Sequence, residues 1–81
     1  MSQAHTDDLT FGEKAVGLSF NPSGDKDVEA TKRAFAIIID NLNGLRSQST
    51  HDKEKARLCS IAITEAQAAQ MWAVKAITWR E

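Results

Sequence analysis

The chain has 81 residues, a formal net charge of −1, 42% apolar side chains and a single cysteine, Cys59. So short a domain buries a modest share of its surface and leans on staples or partners. One cysteine excludes an internal disulfide, and no Cys/His grouping has zinc spacing, so neither a metal nor a cofactor is expected. Acids and bases alternate along the chain, which excludes the basic stripe of a protein that tracks DNA or RNA. No apolar run approaches the roughly 20 residues of a membrane span.

Residues 1–8 are polar and acidic. They lack the basic and apolar regions of a secretion signal and read as a disordered tail, leaving residues 9–81 as one helical domain in the cytosol. Thr10 and Glu13 have capping-box spacing, so a short helix is predicted to start there, with Gly17 as its stop. Leu18, Ser19 and Phe20 are expected to be extended. Asn21-Pro22-Ser23-Gly24 reads as a turn, because the residue before a proline is disfavoured in a helix.

A long helix is predicted from Asp25 or Lys26 to about Arg46. Val28, Phe35 and Leu42 repeat every seven residues, with Thr31, Ile38 and Leu45 offset by three, which gives a coiled-coil-like seam. Ile37 and Ile39 fall off that seam. Ser47 to His51 is a polar connection of the length that joins antiparallel helices. A second long helix is expected from about Asp52 onward. Ala62, Ala66, Ala69, Ala73 and Ala76 form a stripe on it, a second face carries Ile63, Val74 and Ile77 with Gln67 and Gln70 between them, and a third carries Leu58, Ile61, Ala68, Met71 or Trp72, and Trp79. A helix apolar nearly all round is buried on most sides. With one other long helix available, the remaining surface is expected to be covered by copies of the same chain. The fold class is therefore all-α: a short N-terminal helix and turn, then a long antiparallel hairpin, assembled as a compact homo-oligomer.

No enzyme motif is present. There is no Walker-type loop, metal-ligand pair or nucleophile elbow. His5 and His51 read as solvent-exposed imidazoles. Ser60 and Thr64 read as helix hydroxyls bonded to the preceding turn, and Glu54 and Glu65 as surface charges. Lys32-Arg33 and the Lys53, Lys55, Arg57 group read as solvated helix faces.

Two segments remain as binding candidates. In the first, Phe11 and Phe20 flank a turn that precedes a long helix, whose N-terminus suits a phosphate. Ser23 adds a hydroxyl, Asn21 an amide able to read a base edge, and Lys26 a cation. The structural alternative is a hydrophobic latch of Phe11 and Phe20 around a plain turn. In the second, Lys75 and Thr78 share one face of the last helix, Trp72 and Trp79 another, and Arg80 lies near its C-terminus; an oligomer interface is the alternative.

The segments Phe11-Gly-Glu-Lys-Ala-Val-Gly-Leu-Ser-Phe-Asn-Pro-Ser-Gly and Ala69-Gln-Met-Trp-Ala-Val-Lys-Ala-Ile-Thr-Trp resemble the hairpin domain of phage proteins that block CBASS and Thoeris immunity, over about residues 9–80. The resemblance implies a non-enzymatic sponge in the host cytoplasm. Such a protein binds cyclic dinucleotides, cyclic trinucleotides or cyclic ADP-ribose isomers without cleaving them, as a helical hexamer with pockets between subunits. It further implies Phe11 as aromatic platform, Asn21, Pro22, Ser23 and Gly24 as turn donors, and Lys26 as phosphate cation, with Lys75, Thr78 and Arg80 at a second ligand site. Part of the family uses a tyrosine as platform, and this chain has none. The rival reading is a helical interaction or scaffold module that binds a host protein.

Overall fold

The computed structural model describes residues 8–80. The N-terminal tail, apart from the exposed Asp8, lies outside the described residues, as does His5. Three helices make up the fold: α1 (Phe11–Ala15), α2 (Lys26–Ser47) and α3 (Lys53–Ile77). There is no strand among the described residues. The architecture is all-helical, with α2 and α3 forming a hairpin and α1 laid against α2.

The capping box forms as the sequence predicts. The Glu13 amide donates to the Thr10 hydroxyl at 3.1 Å and the Thr10 amide to the Glu13 carboxylate at 2.9 Å, satisfying two free donors of α1. At the other end Gly17, at φ 65°, takes the left-handed conformation that lets the chain leave the helix. The Leu18 amide then donates back to the Glu13 carbonyl at 2.9 Å. Leu18 and Ser19 are not extended: they continue as a turn, closed by the Phe20 amide donating to the Gly17 carbonyl at 2.9 Å. The Asn21–Gly24 turn is present, closed by the Gly24 amide on the Asn21 carbonyl at 3.1 Å.

The buried face of α2 is displaced from the predicted seam. Ile39, placed off the seam by its spacing, is fully buried, alongside Val28, Lys32 and Ala36. Ile38 is 48% exposed and Leu45 39%. The displacement follows from α1, which covers one flank of α2 while α3 covers another, so burial centres between them. Val16, Ala36, Ile39 and Ile63 form the core, with Leu18, Phe35, Leu42 and Ala66 packed on it.

Gly12 fixes how closely α1 approaches. A Cβ there would collide with the Ala36 carbonyl oxygen and sit 2.9 Å from the Asp40 carboxylate. Asp40 exploits the gap. Its carboxylate accepts from the Gly12 amide at 2.6 Å and from the Thr10 hydroxyl at 2.7 Å, tying the start of α1 to the middle of α2. A carboxylate is favoured at this helix terminus, where amides are free.

On α3 the α2-facing side carries Cys59, Ile63 and Gln70, all buried, with Val74 and Ile77 half-buried. The opposite side stays open: Leu58, Met71, Trp72 and Trp79 are between 53% and 70% exposed. The smallest principal dimension is 13 Å, about one helix diameter. A single layer of helices cannot cover both of its own faces.

Candidate functional site

A concavity of about 600 Å³ lies between the Val16–Ser23 segment and the C-terminal half of α3. Its size is in the range of small-ligand sites, roughly 300–1,000 Å³. The wall contributed by the N-terminal segment includes Lys14, Gly17, Phe20, Asn21 and Ser23; the α3 wall includes Gln67, Gln70, Met71, Val74 and Thr78. Val28 and Lys32 close it from α2.

Lys32 organises this groove. The sequence reading of Lys32-Arg33 as a solvated face holds for Arg33, whose guanidinium pairs with Glu29 at 2.9 Å on the surface. Lys32 is instead buried, 6% exposed, on the same stripe as Val28, Ala36 and Ile39. Its ammonium donates to the Gly17 carbonyl at 3.0 Å and to the Phe20 carbonyl, so it is the bolt that holds the turn segment on α2. It also lies 5.6 Å from the centroid of the Phe20 ring. Among the described residues no carboxylate pairs with it.

The turn itself is internally bonded. Asn21 Nδ2 donates to the Asp25 carbonyl at 3.1 Å, the Ser23 hydroxyl donates to Asn21 Oδ1 at 3.0 Å, and the Asp25 amide donates to Ser23 Oγ at 3.1 Å. The expected free N-terminus of the long helix is occupied. Asp25 caps it, its carboxylate accepting from the Asp27 amide at 2.7 Å and the Val28 amide at 3.3 Å. Asp27 and Glu29 in the first turn offset the unfavourable placement of the Lys26 cation at this helix N-terminus.

Asn21, Pro22 and Ser23 share the groove, whereas Phe11, Gly24 and Lys26 do not line it within one chain. Phe11 is 44% exposed, with the Arg46 guanidinium 5.6 Å from its ring centroid. Arg46 in turn donates to Ser60 Oγ at 3.0 Å and Asn43 Oδ1 at 2.7 Å, so Ser60 bonds across the hairpin rather than to its own preceding turn. Phe20 is 72% exposed. Neither phenylalanine belongs to the buried core of the single chain. Of the C-terminal candidates, Thr78 lines the groove with its hydroxyl donating to the Val74 carbonyl at 2.9 Å. Lys75 and Arg80 are exposed and outside it.

Sequence reasoning missed Lys32, Asp40 and Arg46. A lysine at the centre of an apolar stripe was the available signal for the first. Asp40 and Arg46 act across helices, and spacing within one helix carries no sign of such partners. Glu54 and Arg57 are surface groups as expected; their 2.8 Å pair holds the Glu54 carboxyl below its ordinary range. Among the described residues no cluster of three or more His, Cys, Asp or Glu is placed to hold a metal ion, and no helix is long and apolar enough to cross a membrane.

No curated protein and no solved structure matches the chain. The sequence profile of one family, Acb2/Tad1, hairpin domain, matches residues 13–78 and so spans both the turn segment and the hairpin. The chain thus belongs to the Acb2/Tad1 hairpin-domain family of anti-CBASS and anti-Thoeris sponges.

Proposed function

We propose that the protein is a phage-encoded sponge that binds cyclic nucleotide immune messengers in the host cytoplasm and holds them without cleavage. The family match over residues 13–78 carries this reading. Cyclic dinucleotides, cyclic trinucleotides and cyclic ADP-ribose isomers share the purines and phosphates that such a site recognises. The principal pocket forms where chains meet, with Phe11 as stacking platform, Asn21 to Gly24 from the turn and Lys26 as phosphate cation; Lys75, Thr78 and Arg80 contribute to a second. Phe11 lies outside the groove of its own chain and is 44% exposed, which suits a platform completed by a neighbour. Arg46 beside it brings a further cation. The assembly is a hexamer that covers the open face of α3.

The exposed Met71, Trp72 and Trp79 favour a second reading, a scaffold that engages a host protein through this face. One experiment addresses both. A panel of cyclic nucleotides is titrated calorimetrically, and ligand bound to the protein is released by denaturation and analysed. The sponge reading expects saturable binding and intact ligand. Linear nucleotide in the released fraction would make the protein a phosphodiesterase, and no binding across the panel would favour the scaffold.

A further inference from the structure

Two polar side chains in the groove are buried with hydrogen-bonding capacity to spare. Lys32, 6% exposed, has three donors and uses two on the Gly17 and Phe20 carbonyls. Gln70, 5% exposed, lines the opposite wall, and among the described residues its amide makes no hydrogen bond. Among the described residues no buried side-chain nitrogen or oxygen lacks a partner, so the unbonded Gln70 amide meets solvent in the groove, where the edge of a ligand can replace water. An ammonium without a carboxylate is costly to bury, and that cost falls if the ligand brings an acidic group to Lys32. Phe20, at the same groove and 72% exposed, adds an aromatic surface, and Val28, Met71 and Val74 add an apolar one.

We infer that this groove is a nucleotide-binding position contained within a single chain, sharing Asn21 to Ser23 with the pocket built on Phe11 and Lys26 but distinct from it in using Lys32, Phe20 and Gln70. Lys32 takes the phosphate, Phe20 stacks on the base and Gln70 bonds its edge, both donating and accepting. The inference rests on the reading of the chain as a nucleotide sponge, and it places a phosphate-bearing purine in this groove. Lys14 at the groove supplies a second cation for the phosphate.

Adenosine monophosphate is the probe, because it carries one purine and one phosphate. The parent should bind it saturably with one molecule per chain, and adenosine should bind at least about tenfold more weakly, since a charge-assisted bond is lost. Gln70→Glu places a carboxylate opposite Lys32 and should weaken binding by at least about tenfold. Gln70→Leu and Phe20→Leu should weaken it in the same direction, while Lys55→Ala, an exposed cation elsewhere, should not. Lys32→Met also unbolts the turn and is therefore not the deciding variant. Failure of the monophosphate to bind while cyclic di-AMP binds would overturn the groove and leave the sponge reading standing. Absence of binding across the whole cyclic panel would remove both. A drop in oligomer mass for Gln70→Glu would show the groove to be a contact between copies, and parent-like affinity in both Gln70 variants would equally overturn the proposal.

Discussion

Gly12→Ala sets two effects against each other. Alanine is the better helix former by roughly 0.5–1 kcal/mol, so propensity alone predicts a more stable protein. The structure predicts the reverse. The new methyl would meet the Ala36 carbonyl oxygen, a backbone atom that cannot rotate aside, and would lie 2.9 Å from the Asp40 carboxylate. Relief requires α1 to lift from α2, stretching the 2.6 Å bond from the Gly12 amide to Asp40. A hydrogen bond to a charged group contributes about 1.5–3 kcal/mol. With about 1–3 kcal/mol of overpacking added and propensity subtracted, the net loss is about 1.5–5 kcal/mol. For a domain of this size each kcal/mol lowers the unfolding midpoint by about 4–8 °C, so the drop is at least about 6 °C. Thermal unfolding followed by circular dichroism, at one fixed protomer concentration, measures it. Gly44→Ala is the control, because nothing lies within 4 Å of a Cβ at that helical position, and it should gain about 0.5–1 kcal/mol. If Gly12→Ala melts at or above the parent temperature, α1 is not held by close approach, and the account of how the turn segment is positioned fails with it.

Phe11→Ala should cost only about 1–2 kcal/mol of stability, because the ring is 44% exposed. The same change should weaken cyclic nucleotide binding by roughly ten- to a hundredfold through lost stacking. Lys26→Ala should leave thermal unfolding unchanged and lower affinity in the same titration; parent-like binding by both variants would refute the Phe11 pocket. Light scattering at micromolar concentration should give the mass of a hexamer, and a monomer that stays folded on dilution would refute the burial argument. Ala69 is exposed on a single chain, so Ala69→Leu should be harmless to a monomer but should disrupt an assembly packed through the alanine stripe, by about 1–3 kcal/mol.

The parts of the fold that depend on neighbours in sequence were legible. Thr10 with Glu13, Gly17, and Asn21 to Gly24 each satisfy local backbone groups, and the residues that do so sit within a few positions of one another. The apolar face of α2 was only half legible. A seven-residue repeat gives the direction of one partner helix, and α1 supplies a second partner that the repeat does not encode. Ile39 is fully buried for that reason, and Ile38 is not. At the candidate site, Asn21 and Ser23 were visible as turn residues, but their side chains are spent largely on Asp25 and on each other. Lys32 was hidden by its neighbour Arg33: a Lys-Arg pair in a charged context looks solvated, and only the packing of the turn onto α2 separates their fates.

Lys32 also explains why a chain this small can present an ordered site at all. Affinity in a sequestering protein falls by whatever it costs to order the site on binding. Here the Val16–Ser23 segment has no regular structure of its own, yet it is held at both ends, by the Gly17 cap and by the Asn21–Gly24 turn, and bolted in the middle through the Gly17 and Phe20 carbonyls. The ordering is therefore completed during folding, by the same ammonium that gives the groove its charge. A methionine at this position would keep much of the packing and lose both functions together. An arginine would keep the charge but present a planar fork where the two carbonyls now converge on a single nitrogen. In the proposed groove, structure and recognition would coincide at Lys32 and separate at Gln70, which lines the same groove and makes no bond to the turn.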